Sequence, residues 1–451
     1  MENIFKVGYA KVNVTPPMGI KIAGYYQVRI ADGVLDELEA VALTFNLNDV
    51  TTAIVAIDCL GISKAFADKC KDAIVKKTGL DRDALFLHGT HTHTGPVIEI
   101  DRPSSEDNGI IAKNNEFLID RISDAVMLSL QDLKPAKMGY GIGQAPNISF
   151  IRRFIMKDGS TKTNPGVNNP DIVGTKGEVD ERVSVLRFDR EGAETIVVAN
   201  FGTHPDTIGG TKISGDWPSF TRKFVEQSIE NTKCIFLNGC EGDVNHVNVF
   251  PKGGDLNNMF IDFDDVSRGY SHSIHMGRVV AGAVMQVYEK VNYIPVENLS
   301  YSYTAIDFKP NKGTPEELVT AHQIMDMHKA GRDDELPYKG MWLTTMLAKS
   351  NRMIMLENVP DILPMYFSAI SLGKVAFYGI PGEPFSAIGS ALKQTEGYEL
   401  VIPCCLTNGY NGYFPTSDAY DGYEGNNARW VVGTAEKIIE DGKTILKNLN
   451  K

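Results

Sequence analysis

Two hydrophobic periods run through the chain. Alternating or short continuous apolar runs at residues 6–14, 38–47, 51–60, 84–87, 183–188, 194–201, 234–237, 299–308, 365–380 and 398–406 predict strands. Helical spacing predicts a helix over 63–77, closed by Gly79, and another over 115–133. In the second, Phe117, Ile119, Ile122, Ala125, Leu128 and Leu130 form a broad apolar face, with Pro135 beyond its end. Further helices are expected from Asp216, as a cap, through Phe220, Phe224 and Ile229, then over 272–291, 315–330 and 342–357, after Pro384, and at the C-terminus. Strands alternating with helices mean an α/β fold, mixed β-sheets flanked by helices, with the strand order left open. Over 144–182 and 251–270 turn residues displace both periods, so long loops are expected there.

The chemistry-bearing positions lie where apolar strands stop. His88, His91 and His93 follow 84–87, His204 follows 194–201, Glu383 follows 365–380, and Tyr413 follows 398–406. Sites of α/β proteins collect just beyond strand ends. If residues 88–93 continue extended, His91 and His93 project to the same side. Each position also has a plainer reading: the histidines as hydrogen-bonding groups, His204 as a turn cap beside Pro205, Glu383 as a helix cap, Tyr413 and Tyr423 as packing tyrosines. Arg152 and Arg153, at the entrance of the first long loop, read as substrate contacts or as surface ion-pair partners. Asp243 and His246 read as further metal ligands or, more plainly, as hydrogen-bonded loop structure, and His272, His275, His322 and His328 carry no partner signal.

Length changes this picture little. At 451 residues the chain exceeds the roughly 250–300 at which single cores stop growing. One unusually large domain (1–451) or two lobes, about 1–291 and 292–451, are expected. A net charge of -12 argues against nucleic acid and anionic membrane surfaces as partners, since both require clustered Lys and Arg. Six cysteines without a Cys-x-x-Cys pair read as buried thiols of a reducing compartment. The start lacks the basic and apolar regions of an export signal, and no run of 18 apolar residues occurs, so a cytoplasmic location is expected.

The motifs taken together carry a resemblance. VGYAKVNVTPP at 7–17, HTHTGP at 91–96, NFGTHP at 200–205, NGCEGDVN at 238–245, PGEPF at 381–385, NGYNGY at 408–413 and YEG at 423–425 resemble, in order, the catalytic domain of the neutral, non-lysosomal ceramidases. The resemblance implies a zinc amidase with metal ligands at His91, His204, Glu383 and Tyr413, and with His93, Arg152 and Tyr423 in substrate-handling positions. Zinc accepts such N and O donors and keeps a position open for water. In that scheme His93 carries the proton, Tyr423 or an imidazolium stabilises the oxyanion, and Arg152 anchors a polar part of the substrate.

Two departures redirect the substrate. Ceramide-cleaving members have a serine, assigned a catalytic role, where this chain has Asn245, which favours direct attack by metal-activated water. They also carry a C-terminal β-sandwich domain, which is not expected in a chain ending at Lys451. An acidic chain without an amphipathic docking helix is poorly equipped to extract ceramide, so no stable membrane association is expected. The expected activity is hydrolysis of an amide, or a related C–N or ester bond, in a small polar metabolite such as a sugar derivative. A metal-dependent enzyme acting on a carbohydrate or lactone, and a non-catalytic metal-stabilised binding protein, are the alternatives. A homo-oligomer is compatible with all three.

Overall fold

The computed structural model describes residues 4–25, 27–98, 109–255 and 269–450. A nine-stranded mixed sheet is the frame. Across it lie Thr232–Asn238, Thr195–Phe201, Arg182–Arg190, Lys134–Gln144, Lys6–Asn13, Glu39–Leu47, Val50–Ile57 and Leu85–Gly89, with Asn292–Ile294 also pairing on Lys134–Gln144. A four-stranded sheet of Leu299–Phe308, Leu363–Leu372, Val375–Gly379 and Leu400–Cys404 packs against it. Residue alternation decides which layer each side chain joins. Val41, Leu43 and Phe45 meet Phe377 and Ile402 in the core between the sheets, while Ala40 and Ala42 face the outer helices.

Those helices cover both outer faces. Lys64–Thr78, capped by Ser63 and closed by Gly79 in the left-handed region, packs with Ile110–Gln131 on one half of the large sheet. Asp216–Ser228 and Tyr270–Tyr288 cover the other half, and Ser386–Leu392 with Thr434–Leu449 cover the small sheet. Among the described residues no helix is long and apolar enough to cross a membrane. All six cysteines are buried free thiols.

Several expectations need correction. The helix expected over 115–133 begins at Ile110, and Phe117 and Leu128 of its supposed apolar face are exposed. Pro135 does lie beyond the helix end, and there it is the second residue of the strand Lys134–Gln144, a central member of the sheet that apolar alternation misses. Glycine explains the miss: a Cβ at Gly143 would stand 2.1 Å from the Ala283 carbonyl oxygen, so bare backbone lets the helix Tyr270–Tyr288 settle on the strand. The loop expected over 144–182 contains a small sheet, with Arg153–Met156 between Thr161–Thr163 and Ile172–Thr175. Of the second expected loop, residues 256–268 lie outside the described residues. Asp216 is the first residue of its helix, after the cap Gly215.

Candidate metal centre

Three parallel strand pairs deliver the site. Val50–Ile57 pairs in parallel with Leu85–Gly89, Thr195–Phe201 with Thr232–Asn238, and Val375–Gly379 with Leu400–Cys404. Parallel partners exit at the same end, so the segments beyond all six strands meet. Backbone bonds tie them together: Gly89 N–H donates to Leu406, Cys405 to Asn238, Gly239 to Phe201, and Gly242 to Pro384.

His91 takes up a left-handed backbone, φ 76°, held by its N–H donating to the Cys59 carbonyl at 2.9 Å. Such a conformation costs roughly 1–3 kcal/mol for a residue with a side chain and persists where its surroundings fix it. The extended segment expected through His93 is therefore absent, yet the two rings still meet, Nε2 to Nε2 at 3.4 Å. His93 N–H donates to the Pro205 carbonyl at 3.1 Å, which joins this turn to the His204 loop. Asp216 braces that loop from behind, its carboxylate accepting from the N–H groups of Thr207 and Ile208. Glu383 pairs with Tyr413 in a short parallel bridge, and the helix after it is capped by Phe385, so Glu383 is not a helix cap.

The side chains converge on one point. Glu383 Oε2 lies 3.5 Å from His91 Nε2 and 3.2 Å from His204 Nε2, all buried. Backbone carbonyls hold the opposite nitrogens: His91 Nδ1 meets Leu60 at 2.6 Å, His93 Nδ1 meets Gly24 at 3.1 Å, and His204 Nδ1 meets Glu241 at 2.8 Å. A proton assigned to each Nδ1 leaves each Nε2 lone pair facing inward. His204 Nε2 and Glu383 Oε2 are buried without a hydrogen-bond partner. Unsatisfied buried groups cost about 1–3 kcal/mol each, so such a pair asks for an ion. Donors on His91, His93 and His204, and on His91, Glu241 and Glu383, lie within 4.8 Å of one another. Two imidazoles and a carboxylate at this spacing fit a divalent metal.

The electrostatics agree. Burial depresses the His91 imidazole, but Glu383 and Glu241 outweigh it and lift its pKa to about 9. Burial raises Glu383, yet His91 and His204 hold it well below the usual carboxylate range. Positive charge is thus favoured between them, where a cation competes with the proton. Burial and neighbouring His91 keep His93, half-buried, well below the usual imidazole range. His88 takes no part: Cys405 carbonyl and Asn238 N–H occupy both its nitrogens.

Tyr413 stacks on His204 with ring centroids 6.4 Å apart and meets Tyr423 edge-on at 5.8 Å. The Arg152 guanidinium lies 5.5 Å from the Tyr413 ring and is buried, donating to Glu424 Oε1 at 2.7 Å and to the Gly242 carbonyl at 2.8 Å. Arg153 is also buried, against Asp421 and Glu424, so the surface-pair reading of these arginines does not hold. Asn245 Oδ1 accepts from Val247 N–H, and Asp243 accepts from Ser386, both as loop structure. Sequence reasoning missed Tyr410, whose hydroxyl donates to Glu383 Oε1 at 2.9 Å, and the buried Glu241 and Glu424. Glu241 was findable, since it follows a buried strand as His204 does.

The chain is 21% identical over 417 residues to neutral ceramidase from Pseudomonas aeruginosa, covering 81% of this chain and 60% of that protein. The crystal structure of that neutral ceramidase superposes with a TM-score of 0.72 at 17% identity, over 100% of this chain and 76% of the other. The fold is that of neutral ceramidase. A ceramidase crystallised with C2 matches equally well, TM-score 0.72 at 16% identity over 99% of this chain and 76% of that one. No protein-family model matches. The sequence motifs thus identified a true, divergent likeness to neutral ceramidase, carried by both sequence and fold. The chain spans about 60% of the length of that curated relative.

Proposed function

We propose that this chain is a zinc-dependent amide hydrolase acting on a small polar metabolite in the cytoplasm. The reading rests above all on His204 Nε2 and Glu383 Oε2, buried and unpartnered beside His91. The likeness to a ceramidase supports amide chemistry. His91, His204 and Glu383 would hold the ion, with Tyr413 alongside. Zinc, when bound, polarises a carbonyl and acidifies water.

The remaining roles belong to the chain's own side chains. His93, half-buried at the rim, takes a proton from the attacking water and returns it to the leaving nitrogen as the C–N bond breaks. Tyr423 donates to the oxygen on which negative charge develops. Arg152, bound to Glu424, holds Tyr413 and orients the polar end of the substrate through it. Asn245 has no hydroxyl and its amide is engaged with Val247, which leaves water as the nucleophile. A cavity of about 370 Å³, where Gln27, Ser63 and Tyr410 stand among the apolar Ile22, Val28 and Ile98, adjoins the centre and suits a small molecule.

A second reading, an amide with an apolar acyl arm, is favoured by a cavity of about 770 Å³ where Met341, Trp342 and Met346 face Tyr423. A panel of N-acylated sugars and N-acyl amines of rising chain length separates the two. The expected result is turnover of a polar amide, lost on chelation and restored by zinc. Ligand binding without turnover, or turnover indifferent to chelation, overturns the proposal.

A further inference from the structure

Glu241 stands at the exit of Thr232–Asn238, among the six strand ends that meet at the centre. Its side chain is fully buried, at 0% exposure, and among the described residues neither carboxylate oxygen has an N–H or O–H hydrogen-bond partner. The Cys405 thiol, a weak donor, lies against it. Its own backbone carbonyl, meanwhile, fixes His204 Nδ1. One of its carboxylate oxygens lies within 4.8 Å of the donor atoms of both His91 and Glu383.

Two carboxylates facing each other in the interior repel, and each is costly to bury uncompensated. Arg152 is committed to Glu424, and the nearby Lys393 to Asp180, so neither cation serves Glu241. A dication between Glu241 and Glu383 removes the repulsion and satisfies the orphaned oxygens together. We propose that Glu241 is a further metal ligand of the centre, completing a donor set of two imidazoles and two carboxylates beside Tyr413.

The inference rests on the metal-centre reading above, and it makes a separate claim about the metal. A second carboxylate raises affinity and pulls the centre toward ions that favour oxygen, such as Mn²⁺. It also raises the coordination number.

The test uses the full chain with Zn²⁺ and Co²⁺ alone as probes, comparing wild type, Glu241→Gln and Glu241→Leu. Metal per chain is measured after dialysis against a competing chelator, and the visible spectrum of the cobalt form reports coordination number. Glu241→Gln keeps shape and burial, so circular dichroism matching wild type is expected even if Glu241→Leu misfolds. Affinity should fall by at least the roughly 10- to 100-fold that losing an outer partner costs, and cobalt absorption should intensify as a donor is lost. Wild-type affinity and an unchanged cobalt spectrum in a folded Glu241→Gln chain overturn this inference and leave the metal centre standing. A wild-type chain that takes up no metal overturns both together.

Discussion

The molecule gathers two histidine clusters, and they differ in what holds the rings. In the first, His91, His93 and His204 each have Nδ1 pinned by a backbone carbonyl, which turns the three Nε2 atoms toward one another, with those of His91 and His204 also meeting Glu383. In the second, His246, His272 and His275 line a cavity of about 320 Å³, with ring centroids 5.7 and 6.0 Å apart. There, among the described residues, Asp206 pins His246 at 3.0 Å, while neither nitrogen of His272 has a hydrogen-bond partner. His272 and His275 come from one helix. Among the described residues, donors close enough to share an ion occur in the first cluster and not in the second. Pinning and a shared carboxylate, more than the number of imidazoles, separate a centre from a cluster.

That contrast is broken most directly at His204. His204→Ala removes a pinned donor, and the chain should no longer hold an equivalent of metal, with activity falling to background; metal analysis after dialysis reads this out. Full metal retention would mean the first cluster is no more a centre than the second. Tyr423→Phe sharpens the same boundary from outside. It removes a hydroxyl beyond the ring contact with Tyr413, so metal content should stay at wild type while kcat falls by roughly 10²–10³, the cost of losing an oxyanion donor. Equal metal loss in both variants would mean that ligand and substrate groups have been interchanged.

Much of this was legible in the chain. Strand exits pointed to His91, His204, Glu383 and Tyr413 because a buried apolar run announces itself in sequence and the residues after it must emerge at a sheet end. Which exits meet was not legible, since it depends on the three parallel pairings, and these set sequence-distant segments side by side. His91 and His93 converge through a left-handed turn that alternation does not foresee. The strand Lys134–Gln144 escaped because its glycines serve a helix packed on top, so its pattern records close approach where hydrophobic alternation would be expected. Glu241 and Tyr410 act through neighbours that only the closed fold supplies.

The smallest expected effect concerns the second cluster and stability. Burial, then repulsion from His246 and His275, lowers the His272 pKa to about 3. Between that value and the ordinary imidazole pKa of about 6.5, the unfolded chain binds the proton that the folded chain refuses. The associated stability is therefore fully present above about pH 6.5 and is lost as the pH falls. By about pH 4.5 the loss amounts to roughly 2–3 kcal/mol. His272→Leu fills similar space without a titrating group, so its urea-unfolding free energy should fall less than wild type between neutral pH and about pH 4.5, by roughly that difference. His88 also titrates in acid, lowered by burial to about 4, but it is common to both proteins and cancels in the comparison. Metal content should not change. An identical acid slope would place the proton penalty elsewhere, whereas loss of metal from His272→Leu would erase the distinction between the two clusters.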